Sequence, residues 1–310
     1  MSSFNSFKHQ LDSALELLES SDQIKQLDLP QVLGSQVVDT ESLLSRCTHI
    51  CDKHKQKKPT IRIIHHLACS GGTLISKCIS AMPNVYLLSE VHPYTDVTQK
   101  GKPKCAPTDI VRLSKYAGIP KQKELATALF KQSIRSTYTH VLNQGGTLVL
   151  RDHTHADYST NEPIPKKSTL VSLLQDEYEI KSILTIRNPI DSYASLVKNG
   201  WVHFEPKSFE EYCRRLLILL EQFDSEEIFL YENFVQNPQN TTKAIVEHLN
   251  IGFDCCFSDV FSIFEVTGDS GRSSPFISIR QRRALSKDYL AEIEQSESFK
   301  GILSKISHYS

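Results

Sequence analysis

Residues 61–75, Ile-Arg-Ile-Ile-His-His-Leu-Ala-Cys-Ser-Gly-Gly-Thr-Leu-Ile, pass from a β-branched apolar run through a small glycine-containing turn into helix-forming sequence. A strand that turns this sharply into a helix builds a phosphate-binding loop. Gly71 and Gly72 let the backbone point its N–H groups at an anion, Thr73 adds a hydroxyl, and the helix brings its positive dipole end to the same place. The spacing is not G-x-x-x-x-G-K-[ST], so the lysine and the magnesium-binding hydroxyl of an ATPase loop are out of register.

The rest of the chain repeats this alternation. β-rich runs at 61–67, 85–89, 146–151, 180–186 and 226–231 are separated by helical stretches near 73–82, 122–144, 189–198, 208–223 and 238–249. Such an order predicts an α/β domain with a mostly parallel sheet of about five strands, covered on both faces and binding ligands at the strands' carboxyl ends. Ahead of it, Phe4, Phe7, Leu11, Leu15 and Leu18 share one helical face. A second helix is expected from Asp39-Thr40, burying Leu43, Leu44, Cys47 and Ile50. The expected division is therefore a helical attachment over 1–58 and the main domain over 59–310. A net charge of −1 provides no general affinity for nucleic acid, so anion binding must come from local arrangement. The longest aliphatic run, Leu216–Leu220, is far too short to span a bilayer, and the first residues lack a signal-peptide core. With eight irregularly spaced cysteines, the simplest expectation is a cytoplasmic chain with reduced thiols.

A second element makes the loop specific. Residues 179–186 read as a strand, followed by Arg187-Asn-Pro189-Ile-Asp-Ser-Tyr-Ala-Ser195 entering a helix whose first turn suits Pro189. An arginine before such a turn and a hydroxyl on the helix can grip one more phosphate. These residues resemble the sulfotransferase family, which uses 3′-phosphoadenosine 5′-phosphosulfate (PAPS) as sulfuryl donor. In that family a loop like Ser70-Gly-Gly-Thr73 holds the 5′-phosphosulfate, while an arginine and a serine eight positions later, matched by Arg187 and Ser195, hold the 3′-phosphate. Tyr231-Glu-Asn-Phe-Val-Gln-Asn-Pro238 is similar to the family's late strand-to-helix signature. The resemblance covers about residues 61–250 and implies a three-layer fold like that of the P-loop NTPases, with Cys69, Ser70, Gly71, Gly72, Thr73 and Leu74 against the donor. It also implies a late glycine-rich basic loop closing over the donor, for which Gly271 and Arg272 are candidates.

For the base that takes the acceptor's proton, Glu90 ends the second strand, placed similarly to the catalytic glutamate of the tyrosylprotein branch; desolvation is expected to raise its pKa. The rival is His153 in Arg151-Asp-His-Thr-His155, with His155 a weaker candidate. The segment ending at Asp152 also imitates a Walker B strand. One departure stands out: most sulfotransferase loops carry lysine or arginine where this chain has Cys69. Lys77, Arg272 or the loop amides could substitute, with Arg272 favoured. A nucleophilic Cys69 lacks a fixed imidazole partner, since His65 and His66 read as packing residues. Cys47, Cys51 and His54 have helical spacing but no evident fourth ligand, so no metal is expected. Lys100, Lys102 and Lys104 read as a solvated loop, and Arg280, Arg282 and Arg283 as a basic closing segment or the start of the final helix. The implied reaction is sulfuryl transfer from PAPS to a small-molecule, glycan or peptide acceptor; a non-catalytic nucleotide binder and a small-molecule kinase are the alternatives.

Overall fold

The computed structural model describes residues 58–95, 109–266, 276–279, 282 and 284–306, with residues 9, 12, 13, 45 and 48. The chain divides into two compact units, Met1–Lys57 and Lys58–Ser310. The expected N-terminal helices, the Cys47/Cys51/His54 group, Lys100, Lys102, Lys104, Gly271, Arg272, Arg280 and Arg283 lie outside the described residues.

Five strands form one sheet: β1 Thr60–His66, β2 Val85–Val91, β3 Thr147–Asp152, β4 Glu179–Ile186 and β5 Ile228–Leu230. Their order is β2-β3-β1-β4-β5, and every pairing is parallel. The helices are α1 Gly72–Ser80, α2 Ile110–Tyr116, α3 Gln122–Asn143, α4 Thr154–Tyr158, α5 Thr169–Leu174, α6 Pro189–Asn199, α7 Phe209–Leu220, α8 Tyr231–Gln236, α9 Pro238–His248, α10 Phe257–Val260, α11 Lys287–Gln295 and α12 Glu297–Ile306.

The alternation of strand side chains creates the three layers. Ile64, Val149 and Ile183 pack on one face with residues of α1, α9 and α10. Ile61, Ile63, Leu148 and Leu150 turn the other way onto residues of α3 and α5, and Leu184 and Ile186 onto α6, α7 and α12. Because β1 lies at the centre, covered on both sides, its run from Ile63 to His66 is buried without interruption. Successive connections leave β1 in opposite directions, first toward β3 and β2, then toward β4 and β5. The crevice at the carboxyl ends of β1, β3 and β4 is therefore a topological switch point, where ligands of open α/β sheets bind.

Two boundaries differ from the sequence expectation. The last strand is only three residues long, because Asp224 and Glu227 form a reciprocal cap on a tight turn before it and Tyr231 already opens α8. The expected single final helix breaks at Ser296. Its hydroxyl bonds Glu210 Oε2 at 2.5 Å and accepts the Phe299 amide at 3.1 Å, which starts α12 anew. Among the described residues no disulfide joins Cys69, Cys78, Cys213, Cys255 or Cys256.

Candidate active site

The turn after β1 is shaped by two left-handed residues, Cys69 at φ 68° and Gly71 at φ 88°. Gly71 caps α1 without any side-chain hydrogen bond, so the first-turn amides of this helix are not closed off by a capping side chain. Both glycines are required by close approach. A Cβ on Gly71 would lie 2.2 Å from Tyr231 Cδ2, and one on Gly72 would lie 2.3 Å from His66 Cγ. The loop is thus clamped between two rings.

Tyr231 also joins the loop to the Arg187 turn. The Arg187 guanidinium lies 5.5 Å from the Tyr231 ring centre and donates a long 3.5 Å bond to Cys69 O. The neighbouring Glu232 accepts the Asn188 amide at 3.0 Å, and Asn188 caps α6 by accepting from Ile190 N. Three segments far apart in sequence, at 69–74, 187–188 and 231–232, therefore form one structure at the switch point. Among the described residues no ion pair joins Arg187 to a carboxylate. Ser195 is half-buried two turns along α6, with its hydroxyl proton given to Asp191 O at 2.8 Å. Arg282, from the basic closing segment, grips the Asp191 carboxylate through Nε at 3.1 Å and Nη2 at 3.3 Å.

Beside the loop lies a second cluster. β2 carries an irregularity between Leu88 and Val91, and Glu90 adopts φ 58°, so the bulge turns its carboxylate toward β3. There Glu90 Oε1 meets Arg151 Nη2 at 2.8 Å, and Oε2 accepts a short hydrogen bond from His153 Nδ1. Burial alone would raise the Glu90 carboxyl, but the His153 hydrogen bond and the Arg151 charge overcome it and hold the group at about 2. The expectation of a raised Glu90 pKa is thereby corrected, since its neighbours hold it below the usual carboxylate range. His153 meets Glu90 through Nδ1, and its Nε2 is buried with no hydrogen-bond partner among the described residues.

Arg151 and His66 are the residues that sequence reasoning missed. Arg151 is 1% exposed and donates from Nε to His66 Nε2 at 2.6 Å, from Nη1 to Ser89 Oγ at 3.0 Å and from Nη2 to Thr73 Oγ1 at 3.0 Å. His66 in turn donates from Nδ1 to Leu67 O at 3.0 Å, so its Nε2 is an acceptor and the ring is neutral. Burial, helped by the Arg151 charge, lowers its pKa to about 4. Burial, with His153 and His203 nearby, lowers His155 to about 3.

Both histidines make the fold acid-labile. The unfolded chain takes up protons on them near 6.5, whereas the folded chain resists until near 4 and 3, so their stabilisation is complete above about pH 6.5 and is lost as pH falls. Going from pH 8 to pH 5 should lower unfolding free energy by roughly 4 kcal/mol, about 2 kcal/mol for each ring. Urea midpoints at the two pH values measure this, and His155→Phe should remove about half of the difference.

The other residues of this stretch are structural. Asp152 is fully buried, and its Oδ2 accepts from His65 Nδ1 at 2.9 Å, Thr154 Oγ1 at 3.0 Å and Ser168 Oγ at 3.0 Å. The Walker B likeness therefore ends in an interior brace. Asp152→Ala strands these donors in the core and should destabilise the chain by about 3 kcal/mol or more in urea titrations.

No protein-family profile matches the chain, and no curated protein matches it. The sulfotransferase domain from the curacin biosynthetic pathway superposes with a TM-score of 0.50 at 16% identity, over 81% of this chain and 99% of that domain. This chain has a sulfotransferase fold. The sulfotransferase domain from the Synechococcus PCC 7002 olefin synthase is also similar, with a TM-score of 0.46 at 18% identity over 77% of this chain and 95% of that one. The crevice just described lies at the carboxyl ends of β1, β3 and β4 of this fold. Arg187, Cys69 and Gly71 meet there.

Proposed function

We propose that the chain is an enzyme that transfers a sulfuryl group from PAPS to a hydroxyl or amine of an acceptor, releasing adenosine 3′,5′-bisphosphate. The observation that carries this reading is the meeting of loop 69–74, Arg187 and the Tyr231-Glu232 pair in one crevice, beside a histidine whose second nitrogen is unpaired. Residues 69–74 hold the phosphosulfate end with the open amides of α1. Arg187 holds the 3′-phosphate with Ser195, whose hydroxyl turns from Asp191 O to reach it. PAPS supplies a sulfuryl group already joined to a phosphate leaving group.

The chain's own residues supply the rest. Glu90, held by Arg151, fixes the His153 ring through Nδ1 and favours the imidazolium that forms when Nε2 takes the acceptor's proton. This assigns the base to His153 and makes Glu90 its positioning residue. The buried His155, whose pKa burial lowers to about 3, flanks the His153 ring with centroids 6.2 Å apart.

A kinase reading finds less support, because Asp152 is fully buried and its Oδ2 accepts from His65, Thr154 and Ser168. Thermal melts separate the two. Adenosine 3′,5′-bisphosphate at a hundredfold excess over its dissociation constant should stabilise the chain by about 2.7 kcal/mol through mass action. ATP with magnesium should not. The opposite pattern would support a kinase.

A further inference from the structure

The reading above leaves one requirement open. As the sulfuryl group departs, negative charge gathers on the phosphate beside the loop, yet the position before Ser70 holds a neutral cysteine. We propose that Arg151, reaching the loop from β3, supplies the missing positive charge through Thr73. This inference rests on the donor assignment and adds to it a residue outside the loop.

Several observations point to it. Arg151 is a guanidinium buried to 1% exposure, and such a charge keeps its reach because little water screens it. Its Nη2 donates to Thr73 Oγ1 at 3.0 Å, in the first turn of α1. A hydroxyl that accepts from a cation is itself a polarised donor, so Thr73 passes the charge toward an anion at the helix N-terminus. The guanidinium plane is fixed on its remaining sides by His66, Ser89 and Glu90, which prevents it from swinging to solvent. The His66 ring that receives Nε also packs under Gly72, so the same contact sets the loop's height.

Charge balance supplies the timing. At rest Glu90 offsets Arg151 in total charge, while the guanidinium itself reaches the donor loop through Thr73. When His153 takes the acceptor's proton at Nε2, the set Arg151, Glu90 and His153 becomes net positive, in the step that builds charge on the departing phosphate. One carboxylate, with an oxygen on each cationic partner, thus links donor loop and base. Arg151 is a positioning residue, acting through Thr73 and Glu90.

The test measures affinity for adenosine 3′,5′-bisphosphate in folded variants. Arg151→Gln alone leaves a buried carboxylate unpaired, so it is paired with Glu90→Gln, a neutral substitution of both partners. Glu90→Gln alone should bind within about threefold of wild type, the double variant should lose about tenfold or more, and Cys69→Lys added to the double variant should restore most of the loss. Restoration by a lysine at the loop is a result that a packing role for Arg151 would not produce. A double variant that binds like Glu90→Gln, or a loss that Cys69→Lys leaves untouched, overturns the proposal. Should the double variant not fold, Arg151→Lys decides: affinity within about threefold of wild type supports a charge role, and a loss of tenfold or more overturns it. If the wild-type chain itself fails to bind the bisphosphate, the donor assignment falls; if wild type binds and the double variant is indifferent, only Arg151 falls.

Discussion

His153→Gln is expected to lower turnover by about a thousandfold, within the range that removal of a general base produces, while affinity for adenosine 3′,5′-bisphosphate changes by less than about threefold. The reason lies in the two ends of one ring. Nδ1 is given to Glu90, and Nε2 is buried and unpaired, so the acceptor's proton has one defined destination. Glutamine keeps a polar group near Glu90 but offers no basic nitrogen. Glu90→Gln should cost less, about a hundredfold, because the imidazole remains and loses only its orientation and the charge that favours its protonated form. If Glu90 were the base, the order of the two effects would reverse. Single-turnover rates with saturating donor distinguish the cases.

Gly71→Ala should be nearly as damaging by a different route. The residue sits at φ 88°, and its new Cβ would lie 2.2 and 2.5 Å from Tyr231 Cδ2 and Cε2. The backbone strain and the forced repacking together should destabilise the chain by about 2–4 kcal/mol. Tyr231 cannot yield without consequence, since its ring also lies under Arg187. Donor affinity should therefore fall at both ends of the nucleotide. Gly118→Ala is the control, because φ there is also positive, at 66°, but nothing lies within 4 Å. It should cost only about 1 kcal/mol and leave binding intact. Urea titration with bisphosphate binding measures both parts, and equal effects at the two glycines would contradict the clamp.

The framework was legible because its strands are of a kind that sequence marks strongly. β1, β3 and β4 lie inside the sheet, and their near-continuous aliphatic runs state this directly. The glycine turn, the Arg187 turn and the tyrosine-acidic pair could each be read locally, and the sheet brings them together. Glu90 was found by its position at a strand end, but its protonation was misjudged. The bulge after Leu88 that aims it at Arg151 and His153 leaves no mark in local composition. His66 was read as a packing residue, and Arg151, at the end of a β-rich run, was given no role. Their partners are 85 positions apart along the chain and meet only because β1 and β3 are neighbours. A buried arginine at the end of an apolar strand was the available signal: a charge placed there needs partners, and partners beside a phosphate loop suggest a task. Asp152 shows the converse, since its motif-like placement ends in an internal brace of one histidine and two hydroxyls.

The most direct test is calorimetric titration of the wild-type chain with adenosine 3′,5′-bisphosphate and, in parallel, with 5′-AMP. A charge-assisted grip by Arg187 on the additional 3′-phosphate should make the bisphosphate at least about tenfold tighter. Equal affinities for the two nucleotides would contradict the donor site and the sulfuryl-transfer reading built on it.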